Sequence, residues 1–95
     1  MTGVVMKISE IKKRKPAKKE IEKLTKNWDY WTCEPSTFDW EYFNTETCYI
    51  LEGEVTVSTD DGEVDIEPGD LVTFPKGLKC VWNVKKPIRK VYTFE

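Results

Sequence analysis

From Trp28 to the end of the chain, aromatic and β-branched residues alternate with polar ones between turn signals that recur about every eight to twelve positions. This pattern dictates many short strands in few residues, and such strands are stable only when closure into a barrel or jelly roll removes their exposed edges. The expected strands are Trp28 to Cys33, Phe38 to Phe43, Thr47 to Glu52, Glu54 to Thr59, Glu63 to Ile66, Leu71 to Phe74, Lys79 to Val84 and Ile88 to Phe94. Asp61-Gly62 suits a two-residue hairpin turn in which both positions take positive φ. Pro68-Gly69 suits a type II turn, because proline fixes φ at the first central position and glycine accepts positive φ at the second.

The N-terminal part follows a different period. Val4, Val5, Met6 and Ile8 predict a short strand, and Glu10 to Lys15 a charged link. Pro16 then fits a first helical turn, and Ala17, Ile21 and Leu24 fall on one face of a short helix ending near Asn27, with a narrow apolar stripe that belongs on the outside or rim. The fold class expected is therefore all-β, a small barrel or jelly roll with one short N-terminal helix. Residues 1–27 form its strand and basic helix and residues 28–95 the barrel, in one structural domain.

With 95 residues the chain buries only about 60 to 65% of its unfolded surface, so a single core must serve. Four Trp, four Tyr and four Phe make that core aromatic. No apolar run approaches the roughly 18 residues of a membrane span, and the start MTGVVMKISE lacks the apolar stretch of a signal peptide, which makes the cytoplasm the expected location. The three cysteines, Cys33, Cys48 and Cys80, form an odd set without CxxC spacing and read as reduced thiols. Residues 1–26 carry nine basic and three acidic groups (+6), whereas residues 27–95 carry six basic and fourteen acidic (−8). The arm's run KKRKPAKK allows an interaction module, but an acidic body repels phosphate, so nucleic acid is disfavoured as a partner and a solvated lysine-rich face is the commoner role.

The segment W-E-Y-F-N-T-E-T-C-Y-I-L-E-G, Trp40 to Gly53, and the segment G-D-L-V-T-F-P-K-G-L-K-C, Gly69 to Cys80, resemble the two motifs of the cupin superfamily. In that family the first motif places two histidines where Trp40 and Tyr42 stand here, followed by a Glu and a Gly in register with Glu46 and Gly53; the second matches at Gly69, Pro75 and Gly77 and has a histidine where Cys80 stands. The stretches ILEGEVTV, EPGD, FPKGLKCVWNV and PIRKVY are similar to the small single-domain cupins related to (S)-ureidoglycine aminohydrolase. The resemblance implies a cupin barrel and a homodimer. Its usual metal chemistry is put in question because the chain contains no histidine at all.

The substitutions define the candidate site. Tryptophan offers a metal no lone pair and tyrosine is a rare ligand, so no metal ligand and no cofactor are expected; a mixed site of Glu46, Cys48 and Cys80 is the alternative that strand parity leaves open. Trp40, Tyr42 and Trp82 either fill the barrel mouth as core or wall a small pocket, since an eight-stranded barrel is just wide enough for either. A buried Glu46 needs a cation or hydrogen-bond donors, and Lys90 is the candidate: Ile88, Lys90, Tyr92 and Phe94 share one strand face, leaving Arg89 and Thr93 outside. In the alternative, Lys90 snorkels to the rim and Glu46 is solvated. A nucleophilic Cys80 lacks the usual histidine base. The reading is a pocket for a small polar organic molecule, with Glu46 and Lys90 as candidate catalytic residues and Trp40, Tyr42, Cys80, Trp82 and Tyr92 as candidate binding residues. A binding or sensing module without turnover is the competing function, and a metal-dependent hydrolase using Glu46 and Cys80 a further one.

Overall fold

The computed structural model describes residues 8–95. The segment Val4 to Met6, expected as strand, lies outside them, and Ile8 opens a single 3-10 turn, Ile8–Glu10. The elements that follow are β1 (Lys12–Arg14), α1 (Lys18–Leu24), β2 (Asp29–Cys33), β3 (Ser36–Glu41), β4 (Glu46–Thr59), β5 (Gly62–Ile66), β6 (Leu71–Phe74) and β7 (Lys79–Phe94). All described pairings are antiparallel.

The fold hinges on β4 and β7, each long enough to serve two halves of the molecule. The first half of β4 pairs with β6 and with the end of β7, and β2 and β1 extend this sheet on either side. The second half of β4 pairs with β5 and with the start of β7, which in turn carries β3. Ile50, Val72, Phe74 and Ile88 from one half and Val55, Val57, Ile66, Trp82 and Val84 from the other belong to one buried cluster, so the two halves face each other across a common core. Four of the expected strands are thus two. The register shifts between Ile50 and Val55, where β4 bends instead of ending. Gly53 makes the bend possible: its φ is +106°, and a Cβ there would lie 2.6 Å from the carbonyl oxygen of Pro87 and 2.7 Å from the Cα of Ile88.

The turns are partly as expected. The Glu67 carbonyl accepts the Asp70 N–H at 3.1 Å across Pro68-Gly69, with Gly69 at φ +93°, as a type II turn requires. A second such turn spans Pro75 to Leu78, with Gly77 at φ +92° and Leu78 N–H donating to Pro75 O at 3.2 Å. The β4–β5 hairpin differs: its two loop residues are Asp60-Asp61, since Thr59 pairs with Gly62, and no described residue other than glycine takes positive φ. The Asp61 carboxylate instead holds the turn by accepting the Thr59 hydroxyl at 2.7 Å and the Ile8 N–H at 2.8 Å.

The basic arm is not a free tail. The stretch read as a charged link contains β1, which pairs with β6, and Ile11 beside it enters the core. Three cationic side chains make β1 a guarded edge. Lys13 Nζ donates to the Asp65 carbonyl at 2.9 Å, Arg14 grips Glu20 of α1 with both nitrogens, and Lys15 lies 2.9 Å from both Asp70 and Glu67. The helix is shorter than the sequence suggested, begins after Pro16, and buries none of its residues fully, in keeping with its narrow apolar stripe. Among the described residues no helix is long and apolar enough to cross a membrane.

Candidate binding site

A pocket of about 230 Å³ opens between β2, β3, the start of β4 and β7. Strand alternation explains its lining. On β7, Trp82, Lys90 and Tyr92 point to the same side; on β4 the matching position is Glu46, with Cys48 and Ile50 continuing inward. Tyr42 sits between β3 and β4, its backbone pinned by the Pro75 to Leu78 turn: Tyr42 N–H donates to Leu78 O at 2.9 Å and Gly77 N–H donates to Tyr42 O at 2.7 Å. The Gly77 turn of the second motif thus positions an aromatic residue of the first.

Glu46 and Lys90 meet in the floor of this pocket. Both are buried, and Lys90 Nζ donates to Glu46 Oε2 at 2.5 Å. The lysine arm runs back along the sheet to do so, since Lys90 stands opposite Ile50 and Trp31 whereas Glu46 stands opposite Phe94. Its ammonium lies 4.9 Å from the ring centre of Trp82, 5.0 Å from that of Trp31 and 5.6 Å from that of Tyr92, within reach of the negative faces of three rings. Glu46 Oε1 has no hydrogen-bond partner among the described residues, yet no buried side-chain oxygen is both sealed from solvent and unpaired. That oxygen therefore looks into the pocket.

The remaining polar group is the Tyr42 hydroxyl, which accepts the Trp82 indole N–H at 3.2 Å. Burial, reinforced by the nearby Glu46 carboxylate, pushes the phenol well above its ordinary value, so it stays protonated and keeps its O–H to donate. Tyr42 stacks on Phe74 with ring centres 4.8 Å apart, and Trp82 stacks on Phe38 at 6.3 Å, which fixes the walls.

Of the residues singled out from the sequence, Trp40, Tyr42, Glu46, Trp82, Lys90 and Tyr92 line this pocket together. Trp40 stands at its rim, 48% exposed. Cys80 does not line it. Although buried on the Trp82 face of β7, two residues from that pocket-lining tryptophan, it borders a more open hollow with Asp39, Glu41 and Asp60. Burial holds the Cys48 thiol up at about 12 and that of Cys80 at about 11, so neither is a ready thiolate. Trp31, Phe38 and Phe94 also line the pocket and were not singled out; Trp31 was detectable only by knowing that β2 lies beside β7.

The metal of related barrels does not fit these residues. Among the described residues, no three His, Cys, Asp or Glu side chains come together as a donor set. The carboxylate in the family's ligand position is instead neutralised by an ammonium, which a cation would have to displace. The alternative site of Glu46, Cys48 and Cys80 is corrected by geometry: these three do not come together as a donor set among the described residues, and Cys80 lies outside the pocket.

Solved structures share this architecture. The chain is 50% identical to a DUF861 family protein from Thermotoga maritima, covering 90% of this chain and 99% of that one, with a TM-score of 0.86. The EutQ protein of Clostridioides difficile superposes with a TM-score of 0.64 at 28% identity over 68% of this chain and 52% of that one. A putative ethanolamine utilization protein Q from Salmonella typhimurium does so with 0.63 at 23% identity over 68% of this chain and 53% of that one, a likeness of fold. In sequence the chain is 32% identical over 57 residues to a protein named acetate kinase EutQ from Clostridioides difficile, 60% of this chain but only 36% of that protein, so it spans about a third of that relative's length. The model of the EutQ-like cupin domain matches residues 22–92, three quarters of the chain and both motifs with it: this chain belongs to the EutQ-like cupin family.

Proposed function

We propose that the pocket binds a small polar organic molecule, recognised by Glu46 Oε1 as acceptor, by the Tyr42 hydroxyl as donor and by aromatic walls formed by Trp31, Trp40, Trp82 and Tyr92. The observation that carries this reading is the buried Glu46–Lys90 pair at the floor of an open cavity. A buried ion pair is a weak stabiliser that hydrophobic residues can replace, so its presence beside unfilled space favours use over packing. Together the pair is neutral, which suits a neutral or zwitterionic guest.

The oxygen of Glu46 that faces the pocket also favours a catalytic extension, in which Glu46 moves a proton on the bound molecule and Lys90 holds the carboxylate in place. The resemblance to cupins related to (S)-ureidoglycine aminohydrolase would make that molecule a small nitrogenous or carbonyl compound. A homodimer in the cytoplasm completes the proposal. Free thiols at Cys33, Cys48 and Cys80 suit a reducing compartment. The engagement of Lys13, Arg14 and Lys15 by acidic and carbonyl groups weighs against the basic arm as the principal interaction surface.

A thermal-shift screen of small metabolites tests the reading. A guest present at about a hundredfold its Kd adds about 2.7 kcal/mol, roughly 10 to 20 °C in a domain of this size. Stabilisation that vanishes in Glu46→Gln supports the proposal. Stabilisation by the same compounds that survives in Glu46→Gln places the guest elsewhere and removes it. Chemical change of the stabilising compound, lost in Glu46→Gln, separates turnover from binding alone.

A further inference from the structure

We propose that Lys90 is a carbonyl-trapping amine whose Nζ condenses with a small aldehyde entering the pocket and holds it as a protonated imine beneath the rings of Trp31, Trp82 and Tyr92. The inference rests on the pocket being a binding site and assigns it a ligand class and a covalent step.

Lys90 is the one buried cation among the described residues, and it lines a cavity instead of being packed on all sides. Its ammonium has three donors, of which one is engaged by a side chain, Glu46 Oε2. The other two face ring clouds and pocket space, from which a carbonyl carbon can reach Nζ. Glu46 at 2.5 Å is placed to take the ammonium proton directly, without a water between. The three ring centres, all between 4.9 and 5.6 Å from Nζ, would stabilise a positive charge on an iminium as they now do on the ammonium.

The step balances with these groups alone. Glu46 accepts one proton from the Lys90 ammonium, and the freed lone pair forms an N–C bond to the carbonyl carbon as the C=O π bond opens. The carbonyl oxygen takes up the second amine proton, giving a neutral carbinolamine. Glu46 then returns its proton to the carbinolamine hydroxyl, the C–O bond breaks, and water leaves. Nitrogen's lone pair closes the C=N bond, and the products are a protonated imine, water and the Glu46 carboxylate. The positive charge stays where it began, on Nζ, so no new charge is buried. The Tyr42 O–H, kept protonated by its surroundings, is a donor for the carbonyl oxygen during attack.

The experiment exposes the full chain at neutral pH to propanal and sodium cyanoborohydride, which reduces any imine to a stable propylamine, and maps the labelled peptides with time. Lys90 should be labelled at least about tenfold faster than the exposed Lys85 and Lys86 despite its burial. Glu46→Gln should slow labelling of Lys90 by roughly 10²-fold while Lys85 and Lys86, as internal controls, keep their rates. Labelling of Lys90 no faster than Lys85 overturns the proposal, and so does Glu46→Gln that folds and labels at the wild-type rate. If that variant does not fold, the wild-type ratio of Lys90 to Lys85 decides alone. Metabolites that stabilise the protein without selective labelling of Lys90 would leave the pocket as a binding site and remove the imine; loss of both removes both.

Discussion

Asp70 and Glu46 are carboxylates buried to nearly the same degree, 1% and 4% exposed, at opposite ends of the β4–β6 ladder, and they are satisfied in opposite ways. Asp70 is saturated. Its Oδ2 accepts the Glu67 N–H at 2.9 Å, tying the type II turn, and its Oδ1 takes Lys15 at 2.9 Å, with Lys13 behind at 4.0 Å. Among the described residues Glu46 has one hydrogen-bonding partner, Lys90, and an oxygen turned to the pocket. Burial alone thus does not mark a functional acid. What distinguishes the two is the coordination left over once the fold has used what it needs.

The surroundings repeat the contrast, and the largest expected effect follows from it. Beside Glu46 lie groups that burial holds neutral, Tyr42 and Cys48, and farther along β7 lies Cys80; among the described residues nothing comparable surrounds Asp70. The two thiols sit at about 12 and about 11 in the folded protein, raised from 9.0, so below pH 9 both states are protonated and the folded state keeps its full stability. Above pH 9 the unfolded chain releases protons that the folded chain retains, and stability falls until about pH 11 for Cys80 and about pH 12 for Cys48, each thiol costing about 1.4 kcal/mol per pH unit within its window. Urea denaturation at pH 8, 10 and 11 should show this loss, on the order of several kcal/mol. Cys48→Ala with Cys80→Ala should remove most of the loss between pH 9 and 10 and leave, above pH 10, the part that the buried Tyr42 phenol contributes. An alkaline limb unchanged in that double variant would mean the pocket side is no more protective than the Asp70 side.

Next in size is the ion pair itself. Lys90→Met strands a buried carboxylate and should cost about 3–5 kcal/mol, whereas Lys90→Met combined with Glu46→Gln should recover most of that loss, because the unpaired charge goes with it. Asp70→Ala should cost less, about 1–3 kcal/mol for the Glu67 N–H left without its acceptor, and should leave pocket ligands and Lys90 labelling untouched. Should Asp70→Ala weaken pocket binding as much as Glu46→Gln does, the division between a structural and a spare carboxylate would fail.

How much of this was legible in the sequence depended on whether the signal was local. Alternation on β4 and β7 put Glu46 inward and Lys90 on the face of Ile88 and Tyr92, and the two do meet. The glycines of the motifs marked Gly53, Gly69 and Gly77, all of which take positive φ. Trp31 escaped notice because its importance lies in standing opposite Lys90 across two strands far apart in sequence. Lys12–Arg14 hid its strand character because an edge strand paired only through its backbone needs no apolar alternation. Asp70 read as turn punctuation, since nothing in E-P-G-D announces that its side chain turns back to the Glu67 N–H. Cys80 has the inward parity expected of it, but parity fixes a face and not a position along a strand of 16 residues, and Cys80 falls one inward position beyond Trp82, outside the pocket lining.

The smallest effect on stability should be the most informative about the guest. Tyr42→Phe keeps the ring stacked on Phe74 and removes only the oxygen that accepts the Trp82 N–H, which leaves the indole near the Cys80 thiol as a weaker partner. The cost should be about 1 kcal/mol, the net worth of one ordinary hydrogen bond. The same substitution withdraws the pocket's neutral donor, so a guest that presents an acceptor to Tyr42 should bind roughly tenfold more weakly, whereas one held only through Glu46 should bind as before. Titrating the same stabilising compound into wild type, Tyr42→Phe and Glu46→Gln resolves the two contacts. Equal affinity for wild type and Tyr42→Phe would reduce Tyr42 to a wall and leave Glu46 as the polar feature that sets Glu46's end of the protein apart from Asp70's.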